Sequence, residues 1–239
     1  SHYNFSNYPP PKITELNTVE VHNLLLGYHR PSGKADEIYP PFRISATSSE
    51  MIALIGRNGI GKSTFLRTLV GLQKALNGEL RIMDKAISSY SQRELASVVS
   101  FVSTENIRIQ NLKVFNLVAL GRYPYTDWFG NLANSDKEIV SEAINMVGLQ
   151  HLAWRNISQL SDGELQRAMI ARTLAQDTPI IILDEPTAFL DLPNKYEVLL
   201  LLRKLVREKN KTIIFSTHDL NIAMRLVDKI WLMAANGLQ

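Results

Sequence analysis

Short apolar runs alternate with segments of helical periodicity through the second half of the chain. The run IIIL at 180–183 precedes the helical segment NKYEVLLLLRKLVREKN, TIIF at 212–215 precedes DLNIAMRLV, and KIWLM follows at 229–233. Nearer the start, TVEVHNLLLGY and EMIALIG have the patterns of two further strands. Strands that are apolar on both faces and spaced by helices predict a parallel sheet covered on both sides, and hence an α/β fold.

The segment from about 90 to 160 differs from this pattern and predicts a helical subdomain inserted in the α/β core. It holds an aromatic-rich loop, GRYPYTDWFGNL, and a capping-box spacing between Ser135 and Glu138 that predicts a helix start. Residues 1–17, rich in Asn, Ser and Pro, are predicted to form a flexible extension, and residues 18–239 one domain.

A glycine-rich stretch, GRNGIGKS, follows the predicted strand that ends at Gly56. It fits G-x-x-x-x-G-K-[ST], with Gly61, Lys62 and Ser63 at the other fixed positions. Glycines let backbone N–H groups close around phosphate oxygens, the lysine reaches the terminal phosphates, and the serine hydroxyl ligates Mg²⁺. A glycine-rich turn with a surface lysine is the alternative, but the strand-to-helix context favours a nucleotide site.

Two further strand ends carry groups suited to phosphate chemistry. Asp184 ends the run PIIILD, where a carboxylate can hold Mg²⁺, and Glu185 can accept a proton from a water that attacks a γ-phosphate. His218 follows TIIFST at what should be a neighbouring strand end, and ligands collect at that edge of open α/β sheets. Asp184, Glu185 and His218 could each be an ordinary polar residue at the surface. Their occurrence together with the phosphate loop favours a role in nucleotide hydrolysis.

Composition removes several classes of function. The 239 residues are 45% hydrophobic, which suits one large domain, and the 26 basic and 23 acidic residues give a net charge of +3 without a basic run, which argues against nucleic-acid binding. The chain has no cysteine, so disulfides and thiolate metal sites are excluded. The apolar runs are far shorter than the ~20 residues that span a bilayer, so we expect any membrane contact to be made through a partner.

The stretch LSDGE at 160–164, called the signature below, has the spacing of an ordinary capping box between Ser161 and Glu164. With it, five motifs stand in order: GRNGIGKST, LSDGELQ, IIILDEP, AFLD and STHD. Through these five motifs the chain resembles the nucleotide-binding subunit of an ABC transporter over roughly residues 18–235. The stretch VALGRYPYT further resembles importers of metal chelates, namely iron-siderophores, haem and cobalamin.

The resemblance implies a P-loop NTPase core with a mainly parallel sheet, an N-terminal antiparallel β subdomain and an inserted α-helical subdomain. It implies that two copies face each other head to tail, hold two ATP molecules with Mg²⁺, and hydrolyse them. The implied phosphate-binding residues are Arg57, Asn58, Gly59, Ile60, Gly61, Lys62, Ser63 and Thr64. Ser63 and Asp184 are the implied metal residues, and Glu185 and His218 the catalytic ones.

Other roles implied by the resemblance have ordinary structural alternatives. Tyr28 would stack on adenine, or it is simply an aromatic residue at a strand end. Asp191 would lie at the dimer interface, or it is the N-cap of the following helix, and Pro193 suits both. Ser161 and Gly163 would offer N–H donors to the γ-phosphate held by the other copy, because a helix start has N–H groups left after capping.

Two positions depart from the family pattern. The commonest signature is L-S-G-G-Q, so Asp162 brings a carboxylate near the triphosphate, and we predict that its side chain turns away toward solvent or a basic neighbour. The family also has a glutamine after the strand SVVSFV that contacts Mg²⁺ or its water. Here Thr104 occupies that position, Glu105 follows, and Gln110 lies too far along the chain.

The implied partners are a second copy, two transmembrane permease subunits and, indirectly, a substrate-binding protein, at the cytoplasmic face of the cell membrane. Four aromatic residues suit the permease interface or pack the subdomain itself: Tyr123, Tyr125, Trp128 and Phe129. Exporters use the same ATPase, and soluble ABC ATPases remain an alternative, although neither a coiled-coil insertion nor a second unit is present. A P-loop kinase would have no use for LSDGE or STHD.

Overall fold

The computed structural model of the chain describes residues 16–29, 35–103, 111–126, 131–234 and 237–238. Most of the proposed extension over residues 1–17 lies outside these ranges, as do Thr104, Glu105, Gln110, Trp128 and Phe129. The strands are β1 (Asn17–His29), β2 (Ala35–Thr47), β3 (Met51–Gly56), β4 (Asn77–Ile82), β5 (Lys85–Ala86), β6 (Val99–Val102), β7 (Ile180–Leu183), β8 (Thr212–Thr217), β9 (Lys229–Ala234) and β10 (Gly237–Leu238). The α-helices are α1 (Lys62–Leu69), α2 (Gln92–Val98), α3 (Val114–Ala119), α4 (Asn134–Met146), α5 (Asp162–Gln176), α6 (Leu192–Lys209) and α7 (Leu220–Leu226). Within the described ranges, no helix combines the length and apolar character needed to cross a bilayer.

A six-stranded sheet in the order β10-β9-β3-β8-β7-β6 lies at the centre of the fold. From β9 to β6 all neighbours run parallel, and β10 pairs antiparallel with β9. Alternate residues of β3 enter two different apolar cores, with Met51 and Ala53 in one and Ile52 and Leu54 in the other. Burial of both faces confirms the parallel sheet predicted from the continuous apolar runs.

A second sheet is antiparallel, with the order β2-β1-β4-β5, and confirms the N-terminal β subdomain. The sequence pattern does not predict β2, because Pro40 and Pro41 interrupt it. Proline cannot donate to a strand ladder and is tolerated at sheet edges, and β2 is the edge strand of this sheet. The Tyr39 hydroxyl donates to the Ala234 carbonyl at 2.7 Å and so ties β2 to the central sheet.

The segment predicted as a helical subdomain, from about 90 to 160, begins with α2 and then contributes β6 to the central sheet. β6 pairs with β7, with Val99 opposite Ile180, so the chain is still part of the central sheet as far as Val102. Beyond it, α3 and α4 pack against each other and against α5. The part of the chain between β6 and α5, called the helical segment below, therefore packs directly on α5, which begins within the signature.

The start of α4 differs from the capping box predicted at Ser135 and Glu138. The N-cap position is Ala133, and the Asp136 carboxylate accepts a hydrogen bond from its N–H at 3.0 Å. Asp136 takes this role because its carboxylate is also held from the other side. Its Oδ1 accepts a hydrogen bond from Nε of Arg122 at 2.8 Å, and both side chains are buried.

Arg122 fastens the helical segment to the end of α5. Besides Asp136, its guanidinium donates to the Ala175 carbonyl at 2.8 Å and lies 4.1 Å from the centre of the Tyr125 ring. The Tyr125 hydroxyl donates to the Gln176 carbonyl at 2.9 Å. These bonds satisfy carbonyls that the last turn of a helix leaves unpaired, and a cation is favourable there.

We expect Arg122→Ala to lower the free energy of unfolding by about 3–5 kcal/mol, because Asp136 would remain buried without its partner. Urea unfolding followed by circular dichroism measures the change. Arg81→Ala is the control, since Arg81 and Glu79 are 37% and 52% exposed and such a surface pair contributes about 0–1 kcal/mol. If both variants lose the same small amount, the buried pair does not hold the segment.

Candidate active site

The phosphate loop joins β3 to α1 and folds around its own lysine. Gly59 and Gly61 have φ values of 79° and 114°, a backbone region that favours glycine. The Lys62 ammonium is buried and donates to the Gly56 carbonyl at 2.8 Å and the Arg57 carbonyl at 3.2 Å. Gly61 is the N-cap of α1 and no side chain caps this helix start, so its first N–H groups are available to an anion.

A cleft of about 740 Å³ opens over this loop and is called the nucleotide cleft below. It is lined by Tyr28, Ile38, Asn58, Gly59, Gly61, Lys62, Ser63, Thr64, Asp184, Glu185 and Phe189. Arg57 and Ile60 line a second cleft, together with His218. The fold thus brings most of the predicted phosphate-binding residues together with both predicted carboxylates.

Tyr28 stands at the end of β1 where the nucleotide cleft opens. Its side chain is 50% exposed, and its hydroxyl lies 3.1 Å from Oγ1 of Thr64. One edge of the ring is therefore held by α1 while the rest of it remains accessible. Tyr28 is thus an aromatic residue at a strand end, and an accessible ring in this position can also stack on a flat ligand.

Asp184 and Glu185 follow β7 and are held by a residue of the neighbouring strand, Ser216. The Ser216 hydroxyl donates to Oδ1 of Asp184 at 2.7 Å and accepts a hydrogen bond from the Glu185 N–H at 2.8 Å. Glu185 has a φ of 47°, in the left-handed region. Its Oε2 lies 4.0 Å from Nδ1 of His218, so the two predicted catalytic side chains are neighbours.

The donor set of the nucleotide cleft fits Mg²⁺ bound together with phosphates. Ser63 and Asp184 both line the cleft and offer hard oxygen ligands, and one Asp184 oxygen is oriented by Ser216. Among the described residues, no group of three or more His, Cys, Asp or Glu side chains is arranged to hold a metal ion. A Mg²⁺ ion here would therefore take its remaining ligands from phosphate oxygens and water.

The signature forms the capping box that its spacing predicts. The Glu164 N–H donates to the Ser161 hydroxyl at 3.3 Å, and the Glu164 carboxylate accepts from the Ser161 N–H and hydroxyl, both at 2.8 Å. The Ser161 N–H, and then its hydroxyl, hold the pKa of Glu164 below its usual value. Asp162 is exposed at the first helical position.

Gly163 packs closely against the start of α6 within its own chain. A Cβ built on it would lie 2.9 Å from Oδ1 of Asn194, at the start of α6. Asn194 is in turn held by Asp191. Oδ1 of Asp191 accepts hydrogen bonds from the Asn194 backbone N–H at 3.1 Å and from the Asn194 side-chain amide at 2.7 Å. Asp191 is thus the N-cap of α6, the alternative that the sequence leaves open.

Besides Arg57, Ile60 and His218, which line the second cleft, three further predicted residues are not brought to the nucleotide cleft by a single chain. Its described lining does not include Ser161, Gly163 or Asp191. Ser161 and Asp191 are exposed, and Gly163 packs against α6. The single chain therefore presents phosphate-loop groups in one place and the start of α5 in another.

The aromatic residues of the helical segment have different environments. Tyr123 is 76% exposed, whereas Tyr125 is held by Arg122 and by α5. Trp154, which the sequence pattern does not mark, is 65% exposed and stacks on Phe115 with ring centres 4.8 Å apart. Tyr123 and Trp154 are accessible to a partner, and Tyr125 mainly holds the segment together.

Sequence reasoning misses three residues of the site. Ile38 belongs to β2, whose proline pair hides the strand, and its side chain would lie 3.0 Å from a Cβ at Gly61. Phe189 is inside the AFLD motif but is 83% exposed with a φ of 62°, which no local pattern indicates. Ser216, two residues before His218, is identified only by the strand pairing that places it beside Asp184.

The chain is similar to known ABC transporter proteins. The ABC transporter family model matches residues 41–188. The chain is 44% identical to an uncharacterised ABC transporter ATP-binding protein, MJ0873, of Methanocaldococcus jannaschii, over 90% of this chain and 72% of the relative. It is 39% identical to the petrobactin import ATP-binding protein FpuD of Bacillus anthracis, over 81% and 71% of the two chains.

Solved structures show the same fold. A transporter classed with the metal-chelate type, in an inward-facing conformation, matches with a TM-score of 0.80 and 28% identity over 93% of this chain and 82% of that one. The ATP-binding cassette MJ0796, as a post-hydrolysis dimer with ADP and phosphate, matches with a TM-score of 0.79 and 27% identity over 92% and 96%. The family model covers more than half of this chain, which belongs to the ABC transporter family as an ATP-binding, ATP-hydrolysing subunit.

Proposed function

We propose that two copies of this chain bind two ATP molecules head to tail, hydrolyse them, and power the import of a metal chelate. The observation that carries this proposal is the division of the site within one chain. Lys62, Ser63 and Asp184 line the nucleotide cleft, whereas Ser161 lies outside it. A second copy would supply the missing helix start, and the dimeric state of the similar MJ0796 cassette supports this arrangement.

The phosphate loop would hold the triphosphate through its N–H groups and Lys62. In the structure Lys62 bonds to two loop carbonyls, so its ammonium must turn from them to reach the β- and γ-phosphates. Ser63 and Asp184 would hold Mg²⁺ together with phosphate oxygens. The bound ion would neutralise charge that develops on the phosphates during transfer.

Glu185 would act on the attacking water. The water oxygen forms a bond to the γ-phosphorus, the bond from that phosphorus to the oxygen bridging to ADP breaks, and the water proton passes to the Glu185 carboxylate. His218, whose Nδ1 lies 4.0 Å from Oε2 of Glu185, would donate a hydrogen bond to the γ-phosphate. Tyr28 would stack on the adenine ring at the open side of the cleft.

The start of α5 would complete the site of the other copy. Ser161 and Gly163 would offer donors to the γ-phosphate, and Asp162 would keep its carboxylate in solvent. The Ser161 hydroxyl donates to Glu164 in the single chain, so contact with phosphate requires it to rotate. Asp191 would lie at the dimer interface while it continues to cap α6.

The membrane partners follow from the same proposal. Two transmembrane permease subunits would contact the helical segment, where Tyr123 and Trp154 are exposed, and a substrate-binding protein would act through them. The chain would work at the cytoplasmic face of the cell membrane. Two similar proteins support a metal chelate as the cargo. One is the petrobactin import protein FpuD, and the other is the structural neighbour classed with the metal-chelate type.

We expect Glu185→Gln to bind ATP but to hydrolyse it about 10²–10⁴-fold more slowly, because a general base is lost. Light scattering at saturating ATP and Mg²⁺ should then show a stable dimer. Glu79→Gln, which alters an exposed carboxylate outside the nucleotide cleft, should behave as the unmodified chain. A Glu185→Gln chain that stays monomeric, both alone and with its membrane partners, would contradict the head-to-tail arrangement.

Tyr28→Ala should weaken ATP binding about 5- to 150-fold, the range that corresponds to loss of 1–3 kcal/mol of stacking on a base. Tyr28→Phe keeps the ring and loses only the bond to Thr64, so we expect nearly unchanged affinity. Competition against a fluorescent nucleotide gives both values. Tripolyphosphate, which has no base, should bind all three chains alike, and a drop in its affinity would show that Tyr28 acts on the loop.

The cargo is tested with the chain reconstituted in proteoliposomes with its permease and binding protein. We expect a ferric siderophore, delivered by the binding protein to the face opposite the ATPase, to stimulate ATP hydrolysis and to accumulate on the ATPase-bearing side. The Glu185→Gln complex is the control for transport without hydrolysis. Movement of the chelate away from the ATPase-bearing face would identify an exporter instead.

A further inference from the structure

Ser216 is a fully buried serine of β8 whose hydroxyl joins the two carboxylate residues of the site. It is 0% exposed, and β8 lies between β3 and β7 in the central sheet. Its Oγ donates to Asp184 at 2.7 Å and accepts from the Glu185 N–H at 2.8 Å. A hydroxyl has one proton to donate, and Ser216 donates it to the Asp184 carboxylate. A lone pair of the same oxygen accepts the hydrogen bond from the Glu185 N–H.

The bond to Asp184 fixes the orientation of a buried carboxylate. Asp184 is 2% exposed, and its backbone N–H is held by the Val102 carbonyl at 2.8 Å. With the backbone fixed and Oδ1 bonded to Ser216, the plane of the carboxylate is set. Hydrogen bonds to an ionised group are stronger than neutral ones, and this one is shielded from water.

The bond to Glu185 supports an unusual backbone conformation. A residue with a side chain seldom adopts a φ of 47°, and such a conformation persists where surrounding contacts impose it. The Ser216 hydroxyl holds the N–H of Glu185, and the Glu185 carbonyl accepts from the Ala188 N–H at 3.0 Å. Together these bonds set the direction in which the Glu185 side chain leaves the strand end.

We infer that Ser216 is a positioning residue for ATP hydrolysis, which acts by orienting the Asp184 carboxylate and the Glu185 backbone through one hydroxyl. This inference rests on the roles proposed above for Asp184 and Glu185. His218 stands two residues further along the same strand end, so β8 positions both sides of the Glu185–His218 pair. Ser216 itself needs no contact with ATP.

The test compares Ser216→Ala with Ser100→Ala in the full chain. Ser100 is a second buried serine of the central sheet, on β6, and its hydroxyl lies 2.9 Å from Oγ1 of Thr178, outside the nucleotide cleft. We expect Ser216→Ala to lower kcat roughly 10- to 100-fold, as small misplacements of reacting groups do. Its affinity for ATP without Mg²⁺ should stay within about threefold, because the phosphate loop is unchanged. Ser100→Ala should keep kcat within about twofold and show a similar shift in melting temperature.

Two further measurements separate positioning from folding. Ser216→Thr retains the hydroxyl and should restore most of kcat, and a crystal structure of Ser216→Ala should show Asp184 rotated or Glu185 outside the left-handed region. Equal losses of kcat in the two alanine variants would overturn the inference, as would a Ser216→Thr chain that folds normally but is no faster than Ser216→Ala. If Ser216→Ala melts far below Ser100→Ala, Ser216→Cys takes its place in the comparison. An unmodified chain without ATPase activity would instead refute the proposed function.

Discussion

Parallel pairing of β3, β8 and β7, buried on both faces, is the constraint on which the site depends. The three strands end at the same edge of the sheet, and there the chain places the phosphate loop, His218 and the Asp184–Glu185 pair. The residues of these strands are buried on both faces of the sheet, and parallel pairing sets their register. The positions of the reacting groups are therefore consequences of core packing, and Ser216 adds a hydrogen-bonded link between two of the strands at that edge.

The start of α5 shows how one piece of structure serves folding and the proposed chemistry together. Capping uses the Ser161 hydroxyl and the Glu164 carboxylate, and Gly163 packs closely against the Asn194 side chain. Both features are satisfied inside one chain, so they do not depend on a nucleotide. In the proposed dimer, the first-turn N–H groups that capping leaves unpaired would donate hydrogen bonds to the γ-phosphate held by the second copy.

The helical segment connects an exposed surface to that same helix. Arg122 and Tyr125 bond the carbonyls at the end of α5, while Tyr123, next to them in sequence, is exposed. A partner that moved this surface would act on α5 through the hydrogen bonds that Arg122 and Tyr125 donate to the Ala175 and Gln176 carbonyls. Separation of the segment from α5 would leave the buried Arg122 without its bond to Ala175, which is costly.

The sequence by itself determined the alternation of strands and helices in the second half of the chain, the phosphate-loop motif and the acidic strand end, because each depends on local pattern and fixed spacing. It could not reveal β2, since Pro40 and Pro41 break the strand pattern and only the edge position in a sheet makes them tolerable. It left Asp191 open between two roles, and the capping bonds to Asn194 settled the structural one. Ser216 became part of the site only through tertiary structure, because residues 32 positions apart in the chain meet through strand pairing that no local pattern encodes.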